Sequence, residues 1–121
     1  MPKTVLVVDD RQANLDILKG ILAPEYKVKT AVNGPMAIKI ALSDAPDLIL
    51  LDIVMPGPNG FEVCKTLKSY RQTRNIPIIF VSASCDPLDE IEGFKVGAAD
   101  FTRKPINPKI IMARIDRLLR S

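Results

Sequence analysis

Thr4-Val5-Leu6-Val7-Val8-Asp9-Asp10 is a short run rich in Val and Leu that ends abruptly on two acids. A run that is apolar at successive rather than alternate positions suits a strand buried on both faces, as in a parallel sheet covered by helices. Four further runs follow it: a weaker Lys27 to Ala31, then Leu48 to Leu51, Ile76 to Ser82 and a short Asp100 to Thr102. Segments of helical spacing lie between them. Leu15, Leu18 and Leu22 share one helical face before Pro24 stops the segment. Gly34-Pro35 opens a second helix, expected to carry Ile38 and Leu42 inward until the chain turns at Ser43 to Asp47. Phe61, Cys64 and Leu67 or Lys68 make a third set. Asp86-Pro87 has the form of an N-cap followed by a first-turn proline, starting a fourth helix with Leu88, Ile91 and Phe94 inward and its end near Gly97. Asn107-Pro108 repeats the device for a fifth, with Ile111, Ile115 and Leu118 as its core stripe. Five βα units with right-handed crossovers predict a doubly wound α/β domain, and residues 1–121 are read as one domain.

Composition narrows the chemistry. The chain has 121 residues, 47% hydrophobic and 26% charged, which are ordinary globular proportions and argue against intrinsic disorder. Seventeen basic residues against fourteen acidic ones leave a formal charge of +3, too small to imply nucleic acid unless it gathers on one face. Neither a membrane span nor the layout of a secretory signal is visible, so a cytoplasmic location is expected. Cys64 and Cys85 have no CxxC spacing and read as reduced thiols. There is no histidine, which excludes His-based triads, the usual zinc enzymes and a phosphohistidine carrier within these residues.

In doubly wound sheets ligands bind outside the carboxyl ends of the strands. Asp9 and Asp10 follow the first run, Asp52 ends the third, Ser82 ends the fourth and Lys104 follows the fifth. Each has a bland reading on its own: Asp10 as the cap of the next helix, a serine or a lysine as a solvated loop residue. As a set they are harder to dismiss, because three converging carboxylates repel one another and raise their own pKa values unless a cation joins them. An oxygen-only donor set suits Mg²⁺. With the metal in place one carboxylate can attack phosphorus as a nucleophile and form an acyl phosphate. Asp52 is the best candidate, since it stands alone while Asp9 and Asp10 are adjacent and can share the metal. Lys104 then offsets charge on the phosphoryl oxygens, and Ser82 donates a hydrogen bond to one of them.

These residues resemble the receiver domains of two-component response regulators. The resemblance runs from Val5-Leu6-Val7-Val8-Asp9-Asp10 through Asp52-Ile53-Val54-Met55-Pro56 and Val81-Ser82-Ala83 to Gly97-Ala98-Ala99-Asp100-Phe101 and Lys104-Pro105. It implies a five-stranded, flavodoxin-like sheet in the order 2-1-3-4-5. It further implies that Asp52 accepts a phosphoryl group from a phosphohistidine on a histidine kinase or histidine phosphotransfer protein. Asp10, Asp52 and the Val54 carbonyl are implied as direct Mg²⁺ ligands, with Asp9 acting largely through water. Lys104 is expected to contact the phosphoryl group and to precede a cis peptide at Pro105. Ser82 and Phe101 match the family's switch pair, and the implied readout to an effector is the surface of the fourth helix, fifth strand and fifth helix. Such a chain modifies itself and is not an enzyme with turnover on other substrates.

Several positions depart from the family pattern or leave alternatives open. Pro58-Asn59-Gly60 stands where an Asp before the glycine is common, which bears on the shape of the loop after Asp52. Val54 and Ser84 occupy positions that influence how water reaches the acyl phosphate, and an apolar Val54 points to a long-lived phosphoryl group. Asp100 and Arg114 match a salt-bridge pair of receivers that form phosphorylation-dependent homodimers, whereas Ile110 and Glu90 do not match the companion pair. Ile110 reads equally as a surface residue and as an apolar anchor for a partner. Arg103, Lys109, Arg114, Arg117 and Arg120 fit a solvated face better than a nucleic-acid surface. Two other classes compete with a phosphorylation switch. One is a binding-only interaction module of receiver fold, disfavoured by the joint presence of Asp9, Asp10, Asp52, Ser82 and Lys104. The other is a flavodoxin-like cofactor enzyme, disfavoured by two acids and Arg11 where a phosphate-cradling loop belongs.

Overall fold

The computed structural model describes residues 2–83 and 86–120, so Ser84 and Cys85 lie outside the described residues. Strands and helices alternate as β1 (Thr4–Val8), α1 (Gln12–Leu22), β2 (Lys27–Ala31), α2 (Gly34–Ser43), β3 (Leu48–Asp52), α3 (Gly60–Ser69), β4 (Ile78–Ser82), α4 (Pro87–Lys95), β5 (Asp100–Arg103) and α5 (Pro108–Leu119). The strands form one parallel sheet in the order β2-β1-β3-β4-β5. The chemistry-bearing strand ends therefore lie along one edge of the domain.

Alternation along the three inner strands divides the core into two layers. Leu6, Val8, Ile49, Leu51, Ile78 and Phe80 face one side with Ala37, Ala41, Val63, Cys64 and Leu67 from α2 and α3. Val5, Val7, Leu48, Leu50, Ile79 and Val81 face the other with Leu15, Leu18, Leu22, Ile111, Ile115 and Leu119 from α1 and α5. Both faces being covered is why β1, β3 and β4 read as unbroken apolar runs. β2 is an edge strand with Lys27 exposed, which discourages further strand pairing. The far end of the sheet is tied by Arg120, whose Nε lies 3.3 Å from the Tyr26 hydroxyl, itself a donor to Asp116.

The helix starts follow their caps. Asn33, Asn59, Asp86 and Asn107 each accept a first-turn backbone N–H through their side chains, and Pro35, Pro87 and Pro108 stand in the first turn of three of those helices. α1 differs. Its N-cap is Arg11 with no side-chain cap, and Asp10 is exposed and does not cap it.

Four helix-face and boundary expectations need correction. In α4, Leu88 is 69% exposed, Ile91 and Phe94 are also exposed, and the buried residue is Gly93. A Cβ there would come 3.0 Å from the Phe80 ring, so the helix approaches the sheet through its smallest residue and turns its apolar stripe outward. In α2 the buried face is Gly34, Ala37 and Ala41, with Leu42 exposed and Ile38 half-buried. In α5 Leu119, rather than Leu118, completes the buried stripe. β4 starts at Ile78 because Pro77 has no N–H to give, although its carbonyl still accepts from Ile49 at 3.0 Å. Gly97 adopts φ +107°, the left-handed turn that releases the chain from α4 toward β5.

Gly20 offers a simple stability test. It lies within α1 with nothing within 4 Å of a hypothetical Cβ. Gly20→Ala removes backbone freedom from the unfolded chain without a clash, so it is expected to stabilise the protein by about 0.5–1 kcal/mol, read as a higher urea midpoint at unchanged slope.

Candidate functional site

The sheet brings the acids together as the spacing requires. β1 ends at Val8 and β3 at Asp52, and these strands are neighbours, so Asp9, Asp10 and Asp52 converge with one carboxylate oxygen of each within 4.8 Å of the others. Asp9 and Asp52 are buried, at 2% and 5% exposure, whereas Asp10 is open to solvent. Lys104, directly after β5, reaches across the strand ends. Its Nζ lies 3.0 Å from Asp9 Oδ2 and 3.3 Å from Asp52 Oδ2. The Lys104–Pro105 peptide is cis.

The electrostatics follow from burial and neighbours. Burial pushes the Asp52 carboxyl above its ordinary range, and Asp9 adds to that effect while Lys104 opposes it. Burial alone pulls the Lys104 ammonium down, but its bond to Asp9 and the charges of Asp52 and Asp9 outweigh this and raise it. Asp9 is held from three directions. Its Oδ1 accepts the Arg11 N–H at 2.9 Å, and its Oδ2 accepts from Lys104 and from Asn14 Nδ2 at 3.1 Å. Asp52 Oδ1 lies 3.4 Å from the Val54 N–H.

The donor chemistry fits a divalent cation. Lys104 pairs with two of the three carboxylates, and Asp10 has no ion pair among the described residues, so the cluster carries uncompensated negative charge on hard oxygen atoms. A cavity of about 430 Å³ opens over it, lined by Asp10, Arg11, Asn14, Asp52, Val54, Ala83 and Lys104. Val54 stands at its rim, 71% exposed.

Residues 5–116 match the family model of the response regulator receiver domain. The chain belongs to this family. This receiver is 45% identical over 121 residues to the response regulator PleD of Caulobacter vibrioides, covering 99% of this chain and 27% of that protein. It is 38% identical over 121 residues to the alkaline phosphatase synthesis transcriptional regulatory protein PhoP of Bacillus subtilis, covering 99% of this chain and 50% of that one. The chain thus spans between a quarter and a half of the length of these curated relatives. Among solved structures it superposes on the chemotaxis protein CheY4 of Vibrio cholerae with a TM-score of 0.92, at 30% identity and 98% coverage of this chain against 99% of that one. The acidic triad is typical of a receiver Mg²⁺ site, and a receiver implies a kinase partner and an effector output within two-component signalling.

The remaining sequence candidates fall behind or beside the triad. Ser82 is fully buried at the end of β4, and its carbonyl accepts the Lys104 N–H at 2.8 Å. Phe101 is buried and pairs in register with Phe80, their ring centroids 6.5 Å apart. In these parallel strands Ser82 and Phe101 share the Phe80 face, which puts the two switch candidates on one side of the sheet. Asn59 stands at the end of the loop after Asp52. It forms a capping box with Glu62 that fixes the start of α3.

Asp100 takes both Arg114, at 2.9 Å, and Arg117, at 3.1 Å, within one chain, and Glu90 takes Arg103 at 3.1 Å. Burial pushes the Asp100 carboxyl upward, but the Phe101 N–H and the arginines outweigh it and hold the carboxyl below its ordinary range. These pairs occupy most of the late basic cluster locally. Ile110 is exposed beside them. Cys64 is buried and its thiol is pushed up to about 11 by burial, so it is an unreactive core residue.

Of two further neighbours of the acids, Asn14 carried no signal in the sequence, and Gly60 stood out only as the glycine of the loop after Asp52. Asn14 sits one turn into α1 and bonds Asp9. Gly60 begins α3 against the backbone of Asp52, where a Cβ would fall 2.4 Å from the Asp52 carbonyl oxygen. Both follow strand ends by a few residues, and only the fold says that they return to the site. No helix among the described residues is long and apolar enough to cross a membrane.

Proposed function

We propose that residues 1–121 act as one phosphorylation switch in which Asp52 is the phosphoryl acceptor. The observation that carries this reading is the convergence of Asp52, Asp9 and Lys104 beside an open cavity, next to an Asp10 that has no ion pair among the described residues. An Asp52 carboxylate oxygen attacks the phosphorus of a phosphohistidine. The O–P bond forms as the P–N bond breaks, and the donor imidazole keeps the electron pair and takes a proton from solvent. The donor histidine belongs to a histidine kinase or histidine phosphotransfer protein, since none exists in this sequence.

Asp10, Asp52 and the Val54 carbonyl would hold Mg²⁺, with Asp9 acting through water. Bound there, the metal supplies positive charge to the transferring oxygens. Lys104 carries its ammonium to the phosphoryl group and offsets the added charge, and the Ser82 hydroxyl donates to a phosphoryl oxygen. Phe101, on the same face of the sheet, couples that shift to the surface of α4, β5 and α5. There the exposed Leu88, Ile91, Phe94 and Ile110 give an effector apolar contacts. The chain modifies itself and turns over no other substrate, and its basic residues serve local ion pairs rather than nucleic acid.

The test is the intact mass of the protein after incubation with acetyl phosphate, with Mg²⁺ and with chelator. Gain of one phosphoryl group only with the metal supports the reading. Folded protein that gains none here, and binds no beryllofluoride, overturns it in favour of a binding-only module.

Val54 adds a kinetic expectation. Its exposed side chain at the cavity rim has no polar atom to orient water toward the acyl phosphate. The phosphoprotein is expected to decay slowly without a phosphatase, and Val54→Gln to shorten its lifetime severalfold. Rapid decay of the purified wild type contradicts this.

A further inference from the structure

We infer that Asn14 is a positioning residue for phosphoryl acceptance, its side-chain amide keeping Asp9 Oδ2 hydrogen-bonded when the Lys104 ammonium moves to the phosphoryl group. This rests on the proposed role of Asp52 and adds a residue to it. The Asp9 side chain is 3% exposed, so bulk solvent contributes little to it and in the metal-free protein its oxygens take their donors from neighbouring protein groups. Oδ1 has the Arg11 N–H at 2.9 Å, fixed by the backbone. Oδ2 has two donors, Lys104 Nζ at 3.0 Å and Asn14 Nδ2 at 3.1 Å.

Only one of those two donors is already shared with the acceptor, since Lys104 Nζ also lies 3.3 Å from Asp52 Oδ2. A phosphoryl group on Asp52 brings new anionic oxygens to that side of the ammonium and draws it from Asp9. Without Asn14, the departure of Lys104 leaves Oδ2 of a buried carboxylate short of a donor, and that cost falls on the phosphorylated state and on the path to it. The amide suits the position because it donates without a net charge. A cation in its place would bind Asp9 more strongly and leave Lys104 less reason to stay in the resting state. Asn14 is also half-buried between two cavities, the one over the acids and a second of about 260 Å³ lined by Ile17, Leu18, Pro105 and Ile106.

The experiment measures initial labelling by acetyl phosphate at saturating Mg²⁺, by intact mass, for wild type, Asn14→Leu and Asn14→Gln, each also in an Asp9→Asn background. Asn14→Leu is expected to lower the maximal rate about tenfold, leaving the half-saturating donor concentration unchanged, because the loss lies after donor binding. Asn14→Gln, which keeps an amide donor, recovers most of that loss. In the Asp9→Asn background Asn14→Leu adds nothing further. A second readout needs neither metal nor chemistry: the Asn14 side-chain amide resonances of the metal-free protein shift in Asp9→Asn. Equal maximal rates for wild type and Asn14→Leu overturn the inference, as does an undiminished loss in the Asp9→Asn background or an unshifted amide. A wild type that gains no phosphoryl group instead overturns the role of Asp52, with the amide resonances still reporting the Asn14–Asp9 contact.

Discussion

Asp52→Asn is expected to gain no phosphoryl group from acetyl phosphate under conditions in which the wild type gains one. The effect is all-or-none because the amide nitrogen and oxygen offer no anionic nucleophile, while Asp9 is enclosed by Arg11, Asn14 and Lys104 and cannot take over. Loss of labelling in Asp52→Asn with retained labelling in Asp10→Asn, even if slow, separates the acceptor from a residue that serves the metal. The same substitution carries a stability signature. Burial and the nearby Asp9 raise the Asp52 carboxyl from its ordinary value of 3.8, so the folded protein holds that proton more tightly than the unfolded chain does. Stability from this group is therefore present below 3.8 and is lost as pH rises through the raised value. Asparagine removes the loss and leaves Lys104 its partner Asp9. In metal-free protein the variant should melt above the wild type at neutral pH, with the difference closing as pH falls below the carboxylate range. Added Mg²⁺ should raise the wild-type melting temperature more than that of the variant, because a ligand that binds the native state stabilises it more the tighter it binds, with the logarithm of its affinity. A variant that melts below the wild type at neutral pH would show that the Lys104–Asp52 contact outweighs the burial of the charge.

What could be read from the sequence, and what could not, divides along a physical line. β1, β3 and β4 are buried on both faces, so their composition is the signal, and the acids at the ends of β1 and β3 stand where any doubly wound sheet presents its ligand site. The convergence of Asp9, Asp10, Asp52 and Lys104 was legible for that reason, since each lies at a strand end or within two residues of one. The helix faces were less so. Gly93 in α4 and Ala37 and Ala41 in α2 are buried, yet small residues add little to a hydrophobic stripe, whereas Leu88, Ile91 and Phe94 form a strong stripe that is exposed. The misleading stripe is itself informative, because an apolar face left outside the core is a surface available to a partner. Asn14 was silent, and Gly60 pointed only to loop shape, for a different reason. A polar residue in a helix and a glycine at a helix start come beside the acids only through contacts made across the fold, here to Asp9 Oδ2 and to the Asp52 backbone.

Gly60→Ala is expected to be the most damaging single-methyl change near the site. The Cβ it adds would lie 2.4 Å from the Asp52 carbonyl oxygen and 2.8 Å from the Ile53 Cα, and both are backbone atoms that cannot rotate aside. Gly60 is also tied there by its own N–H, which donates to the Ile53 carbonyl at 2.8 Å. The helix must therefore back away from β3 or push the strand end that carries Asp52 out of place. Overpacking of this kind costs about 1–3 kcal/mol. The functional loss should be larger than the stability loss, because Asp52 lies in the displaced backbone and a shift on the order of 1 Å in a reacting group can cost about a hundredfold in rate. Asn59→Ala is the control. It removes the capping box with Glu62 and should cost about 1 kcal/mol, but it adds no atom against Asp52. Urea unfolding and acetyl phosphate labelling on the two variants separate the cases: Asn59→Ala should lose stability and keep its labelling rate, whereas Gly60→Ala should lose both. If Gly60→Ala labels at the wild-type rate, the start of α3 can withdraw without moving Asp52, and the close contact between them serves the fold alone.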